Sequence, residues 1–292
     1  MSVTVFKKIR NNFRVVYILF LIYFLFAGFC DLSIDRKFDL TKLQYIEKLG
    51  YKTVAINTLV PEQNEEPVKK KKKGDNKGAD MKEKQDPVPP PVEITEEITS
   101  QLKLNILQRI TIEFSDPVII HNLSKSRSEN FKKYDIIAAM PTTLNSFQYA
   151  CSAMDVDIIT FSPETRLPFK IPRKMYGVAV ERRVFFEIMY APAIIDSTAR
   201  KNIINTAHYY HTLGKSKNII ICSSAVNPNQ IRNVHDVINL GLILGLDNVK
   251  GLEAIRRNPQ TVIQRALSRK CGKYYIEVNI LNKENEIKTM EE

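Results

Sequence analysis

Side chains able to hold a metal or move a proton are few in this sequence, and they do not cluster. Its four histidines are His121, His208, His211 and His235. His208 and His211 stand three apart in a stretch of helical periodicity, a spacing that could turn both toward one metal ion. No Glu lies between them in a zincin pattern and no third ligand is apparent, so two ordinary helix residues account for them as well. Cys30, Cys151, Cys222 and Cys271 are widely spaced, form no CxxC and keep no zinc interval with a histidine. Buried thiols in a reducing compartment fit them. What remains is anion recognition. Arg182, Arg183, Ser223, Ser224 and Arg232 are polar groups expected at strand ends. Arginine offers a planar fork that matches phosphate, and hydroxyls or loop N–H groups complete such a site. For Arg182, pairing with Glu181 or Glu187 inside the fold is the competing reading.

The charge balance points the same way. Lysine and arginine number 43 against 32 Asp and Glu, a formal +11, which favours a polyanion such as RNA or an anionic membrane surface. Part of the excess sits in Lys69 to Lys73, so the folded body is less basic than the total implies. That run reads as a nuclear import signal, a loose phosphate-binding arm, or a charged linker with no dedicated role.

The elements that must position these residues alternate in type. Phe29 to Ile34 has the pattern of a half-buried strand, Leu40, Leu43, Ile46 and Leu49 recur as on a helix stopped by Gly50, and Thr53 to Asn57 is a short buried strand. Ile110 to Phe114, Tyr134 to Ala139, Val156 to Phe161 and Asn218 to Cys222 are further strands, and the Tyr134 to Ala139 run is nearly all apolar, as in parallel sheets buried on both faces. Gly177 to Val180 and Phe185 to Ile188 bracket the Arg182-Arg183 pair. Helices are expected over Thr142 to Ala153, after an Asp196-Ser197-Thr198 cap with a stripe through Ala199, Ile203, Ala207 and Tyr210, and over Asp236 to Leu246 and Val249 to Leu267. About seven strand-helix alternations imply an α/β chain closed as a (βα) barrel, with an open doubly wound sheet as the runner-up. No G-x-G-x-x-G follows the first strand. Barrels place chemistry at the carboxyl ends of their strands, and here those ends carry Ser33-Ile34-Asp35, Asn57-Thr58, Met140-Pro141 and Ser162-Pro163, a poor set of acids, bases and ligands.

Two segments stand apart. Val15 to Phe29 is uncharged and follows Lys7, Lys8, Arg10 and Arg14, the plan of a signal peptide, shorter than the roughly 20 residues of a membrane span. An error in the gene model, a true membrane or secretory segment, and a buried extra element all remain open for residues 1–26. Residues 61–92 are rich in Glu, Lys, Asp and Pro and read as a solvated, disordered insertion into a barrel spanning 27–285, with a flexible tail at 286–292.

Several blocks carry a resemblance to a known family. YDIIAAMP from Tyr134, DVDIITF from Asp155, Leu167-Pro168-Phe169, VAVERRVFFEIMYAPAIIDSTAR from Val178, and the run from Ile219 to Leu246 resemble, in order and spacing, the thirty-kilodalton protein subunit family of nuclear ribonuclease P. Asp31-Leu32, the helix of Asp39 to Gly50 and Ala55-Ile56-Asn57 match the family's opening, so the likeness covers about Phe29 to Leu281. The resemblance implies a TIM-like barrel, related to polymerase-and-histidinol-phosphatase barrels but without their metal ligands. It implies a noncatalytic subunit with no cofactor of its own, since the RNA of ribonuclease P matures precursor tRNA at the 5′ end using Mg²⁺. Implied partners are ribonuclease P RNA, the related MRP RNA that serves rRNA processing, precursor tRNA within the complex, and protein subunits that include a small RRM-like one. The implied location is the nucleus and nucleolus. Arg182, Phe186, Glu187, Tyr190, Pro192, Asp196, Ser197, Ser223, Ser224, Arg232 and Asp236 fall on the family's pattern. Arg183 departs from it, standing where the human member of the family has glycine, and so does the apolar extension. Two alternatives stand beside this reading: a metal-dependent phosphoesterase of the same barrel class, and a membrane-anchored binding protein.

Overall fold

A computed structural model describes residues 28–62, 86–95, 102–118 and 128–271. The apolar segment through residue 27, Lys69 to Lys73, His121 and the tail beyond Cys271 lie outside the described residues. Seven strands run in chain order as one parallel sheet: β1 (Phe29–Asp35), β2 (Tyr51–Val60), β3 (Asn105–Phe114), β4 (Ile136–Pro141), β5 (Ile158–Ile159), β6 (Phe185–Met189) and β7 (Ile219–Cys222). Beyond β7 the chain turns onto β1. Ser224 N–H donates to Ser33 C=O at 2.7 Å, Asp35 N–H donates to Ala225 C=O at 3.0 Å, and Ile34 bridges Ala225 in parallel. This seam brings the first and last strands together and nearly closes the sheet into a ring. The expected barrel is found, with seven strands among the described residues.

The helices connect and surround the strands. They are α1 (Leu43–Lys48), α2 (Glu129–Lys133), α3 (Leu144–Ser152), α4 (Arg173–Glu181), α5 (Ala191–Ile195), α6 (Ser197–Gly214), α7 (Val234–Ile243), α8 (Asn248–Ile255) and α9 (Arg257–Cys271). Their starts follow from local chemistry. Thr143 caps α3 in a reciprocal pair with Ser146, and the Asp196 carboxylate accepts from Ala199 N at 2.7 Å to open α6. The α6 stripe of Ala199, Ile203, Ala207 and Tyr210 is buried, as its spacing predicts.

Two apolar layers result. One lies between strands and helices. The other fills the barrel with Cys30, Leu32, Ala55, Leu107, Ile136, Ala138, Ile158, Phe185, Ile220 and Cys222, one or two residues from each strand. Val262, Ile263 and Ala266 of α9 join this inner layer, and α9 packs on β1, β4 and β7. The last helix therefore plugs the amino end of the barrel.

Three expectations need correction. Gly177 to Val180 is not a strand but the second half of α4, where Tyr176 and Ala179 face the core and the valines are only partly covered. A Val-Ala-Val run reads as a strand by composition, but burial at Tyr176 and Ala179, three apart, is helical. The span from Val249 to Leu267 is two helices, broken at Arg256 with φ −123° and ψ −72°. The polar insertion ends earlier than residue 92. Asp86 accepts from the Ser128 hydroxyl at 2.9 Å, Val88 is buried, and the Tyr134 hydroxyl and Gln108 amide donate to the carbonyls of Pro89 and Val92, both at 2.9 Å.

Candidate nucleic-acid interface

The five predicted anion contacts do not form one rim. Ser223 and Ser224 follow β7 at the carboxyl end of the barrel, whereas Arg182 and Arg183 precede β6 at the amino end. A five-residue strand separates the two ends by roughly 17 Å. The expectation that both arginines follow a strand rests on Gly177 to Val180 being extended, and the helical state of that stretch removes its premise.

Each residue has a definite surrounding. Ser223 is fully buried at the seam, where its hydroxyl donates to Ser33 C=O at 3.2 Å and accepts from Ala225 N. It holds the ring closed and offers nothing to solvent. Ser224 is half-buried and turns the chain at φ +54°. Arg232 is exposed, and its backbone is clamped between two tyrosines: its N–H donates to the Tyr190 hydroxyl and its C=O accepts from the Tyr51 hydroxyl, both at 3.0 Å. Arg182 is turned inward. Its guanidinium donates to Cys151 C=O at 2.6 Å, Met154 C=O at 2.8 Å and Ala150 C=O at 3.4 Å, satisfying carbonyls left open where α3 ends. Its own carbonyl accepts from the Arg265 guanidinium of α9. Neither Glu181 nor Glu187 is its partner. Arg183 is exposed and adopts φ +57°, the left-handed region that a glycine enters without strain.

The barrel interior holds a polar group that the sequence does not announce. Arg109 of β3 meets Glu187 of β6 in a bidentate pair at 2.5 and 2.6 Å, both side chains fully buried, and also donates to Leu32 C=O at 2.8 Å. Burial pushes the Glu187 carboxyl up, but the adjacent Arg109 outweighs it and holds the group below its ordinary value. A strand beginning at Ile110 leaves the pair hidden. From Asn105 the alternation Leu107, Arg109, Thr111 puts the arginine on the inner face. Nearby, Asp31 is wholly buried and its pKa is raised to about 6 by burial, although its Oδ1 accepts from Ser33 N at 3.2 Å and Ser223 N at 3.0 Å. Bonds of this kind brace the ring.

Among the described residues, metal and nucleophile chemistry find little to work with. His208 and His211 are exposed on α6, and His211 Nδ1 lies 3.2 Å from the Ser216 hydroxyl. Among the described residues no group of three His, Cys, Asp or Glu side chains could hold a metal ion. Burial pushes the Cys30 and Cys151 thiols up to about 12 and that of Cys222 well above its usual value, so all three stay protonated at neutral pH.

The amino end is where cations gather. On α9, Arg269 donates to the buried Asp157 carboxylate at 2.7 Å, Arg265 lies 3.5 Å from its other oxygen, and Lys270 pairs with Asp135 at 2.6 Å. These pairs fasten the plug to the strand starts. Arg257, at the other end of the same helix, and Arg256 just before it are exposed.

Comparison with known proteins identifies the family. Residues 28–271 match the family model for RNase P subunit p30. The chain is 33% identical over 257 residues to mouse "Ribonuclease P protein subunit p30", covering 84% of this chain and 88% of that protein. It is 31% identical over 150 residues to the Saccharomyces cerevisiae "Ribonuclease P/MRP protein subunit RPP1", covering 51% of this chain and half of the yeast protein. A chain of the "cryo-EM structure of archaeal Ribonuclease P with mature tRNA" superposes with a TM-score of 0.56 at 14% identity, covering 87% of this chain and 99% of that one, and so shares its fold. With the match spanning the whole barrel, from the first strand to the helix that plugs it, this chain belongs to the RNase P subunit p30 family.

Proposed function

We propose that the chain is a noncatalytic protein subunit of ribonuclease P, binding and stabilising the RNA that matures the 5′ ends of precursor tRNAs. The family match over residues 28–271 carries this reading. The formal +11 supports an RNA partner. Any Mg²⁺ required for cleavage belongs, on this proposal, to the RNA and not to this chain. Depleting the protein in its own cells is expected to accumulate precursor tRNAs that retain 5′ leaders. Unchanged leader levels after full depletion would contradict the proposal.

The reading extends to ribonuclease MRP and so to rRNA processing, supported by the likeness to the yeast subunit named for both complexes. It further includes a small RRM-like protein partner and residence in the nucleus and nucleolus, with Lys69 to Lys73 as the import signal. Deleting those five lysines should shift a fluorescent fusion to the cytoplasm. A fusion that stays nuclear would remove the signal from that segment.

A further inference from the structure

A polar cavity of about 370 Å³ opens at the amino end of the barrel, where three connections meet. Arg183 comes from the α4–β6 turn, Lys217 from the α6–β7 turn, and Lys250 and Arg257 from α8 and the start of α9. These four cations face one lining carboxylate, Glu253. Glu253 lies 3.5 Å from Arg257, and Lys250 lies 3.4 Å from the exposed Asp247, so Lys217 adds cationic charge beyond these two pairs. The polar floor is rigid. The Asn218 amide donates to Val180 and Val184 carbonyls at 3.2 Å, and the Asn258 amide donates to Ile219 C=O at 2.7 Å.

Backbone conformation adds a second observation. Arg183, Lys215, Ser216 and Asn218 all hold positive φ between +53° and +57°, in the two turns that border this cavity. A non-glycine residue held there costs about 1 kcal/mol or more, and such strain gathers where a side chain must be aimed. In this molecule it presents Arg183 and the Lys217 turn at one opening.

From these features we infer that the cavity binds the phosphodiester backbone of an RNA strand. Phosphate is met in proteins by Arg and Lys together with Ser, Thr and Asn, which is the composition of this lining, with Ser216 and Thr261 beside the cations. A protein partner would ask for an apolar centre, and the apolar lining here is the half-buried Val180 with Phe185 and Ile219, buried at the base of β6 and β7. The site lies at the end opposite to the one where barrel enzymes place their chemistry. It deepens the ribonuclease P reading and rests on it, by naming where on this chain the RNA is held.

The test uses the full chain and ribonuclease P RNA purified from the same cells, with affinity measured across a salt series. Removing one cation that neutralises a phosphate lowers the slope of log K against log salt by about 1. Lys217→Ala and Arg257→Gln, both at exposed positions, should each reduce the slope by about 1, and the double variant by about 2, with unchanged melting temperature. Lys37→Ala, at the carboxyl end, should leave the slope as it is. Wild-type slopes in both cavity variants would overturn the site. So would loss of a co-purifying protein subunit with RNA binding intact, which would mark an acidic peptide as the occupant. Failure of the wild-type chain to bind this RNA at all would instead strike the functional reading itself, and the two failures are therefore distinguishable.

Discussion

At the scale of single residues, the barrel depends on buried charges that hold one another. Breaking a buried pair on one side leaves an uncompensated ion, at a cost of about 3 to 5 kcal/mol, whereas replacing both partners by apolar residues of similar size is often neutral. Glu187→Gln should therefore destabilise by about 3 kcal/mol or more in urea unfolding, and Arg109→Met with Glu187→Leu should recover most of that loss. Additive single and double effects would refute the coupling. Asp31 has the opposite electrostatics, since its folded pKa of about 6 stands above its ordinary 3.8. Below the lower value the carboxyl is neutral in both states; as pH rises toward 6 the unfolded chain ionises first, and folding loses stability. Asn at this position stays neutral and can still accept from the Ser33 and Ser223 N–H groups. Asp31→Asn should remove that loss, gaining on the order of 2 kcal/mol over wild type at pH 7 and nothing near pH 3.5. Parallel pH profiles for the two proteins would contradict this.

At the scale of elements, most of the architecture is legible in the sequence. Apolar runs such as Ile219 to Cys222 show burial on both faces directly, and Asp196 announces its helix by the cap it supplies. Two kinds of feature are not legible. Gly177 to Val180 carries strand-forming residues on a helix, because packing of Tyr176 and Ala179 decides the state there and propensity does not. Charged partners such as Arg109 and Glu187 lie 78 positions apart, and only closure of the ring brings them together. The candidate site suffers from both. Taking one helix for a strand moves Arg182 to the wrong end of the barrel and makes a structural residue look like an RNA contact. Arg182→Ala should lower stability by about 1 to 3 kcal/mol through the carbonyls it leaves open, and should leave the salt slope of RNA binding unchanged. A variant of wild-type stability with a reduced slope would restore Arg182 to the interface.

At the scale of the whole molecule, the chain is a parallel barrel plugged at its amino end, and its family is one of ribonuclease P protein subunits. Its basic charge suits a polyanion, and the family shows which assembly such a body serves. The most direct test of that claim is immunopurification of the tagged full chain from its own cells, followed by sequencing of bound RNA and assay on precursor tRNA. Enrichment of ribonuclease P RNA is expected, with 5′ leader cleavage by the complex and none by the isolated chain. A chain that purifies without that RNA, or that cleaves precursor tRNA alone, would contradict the account.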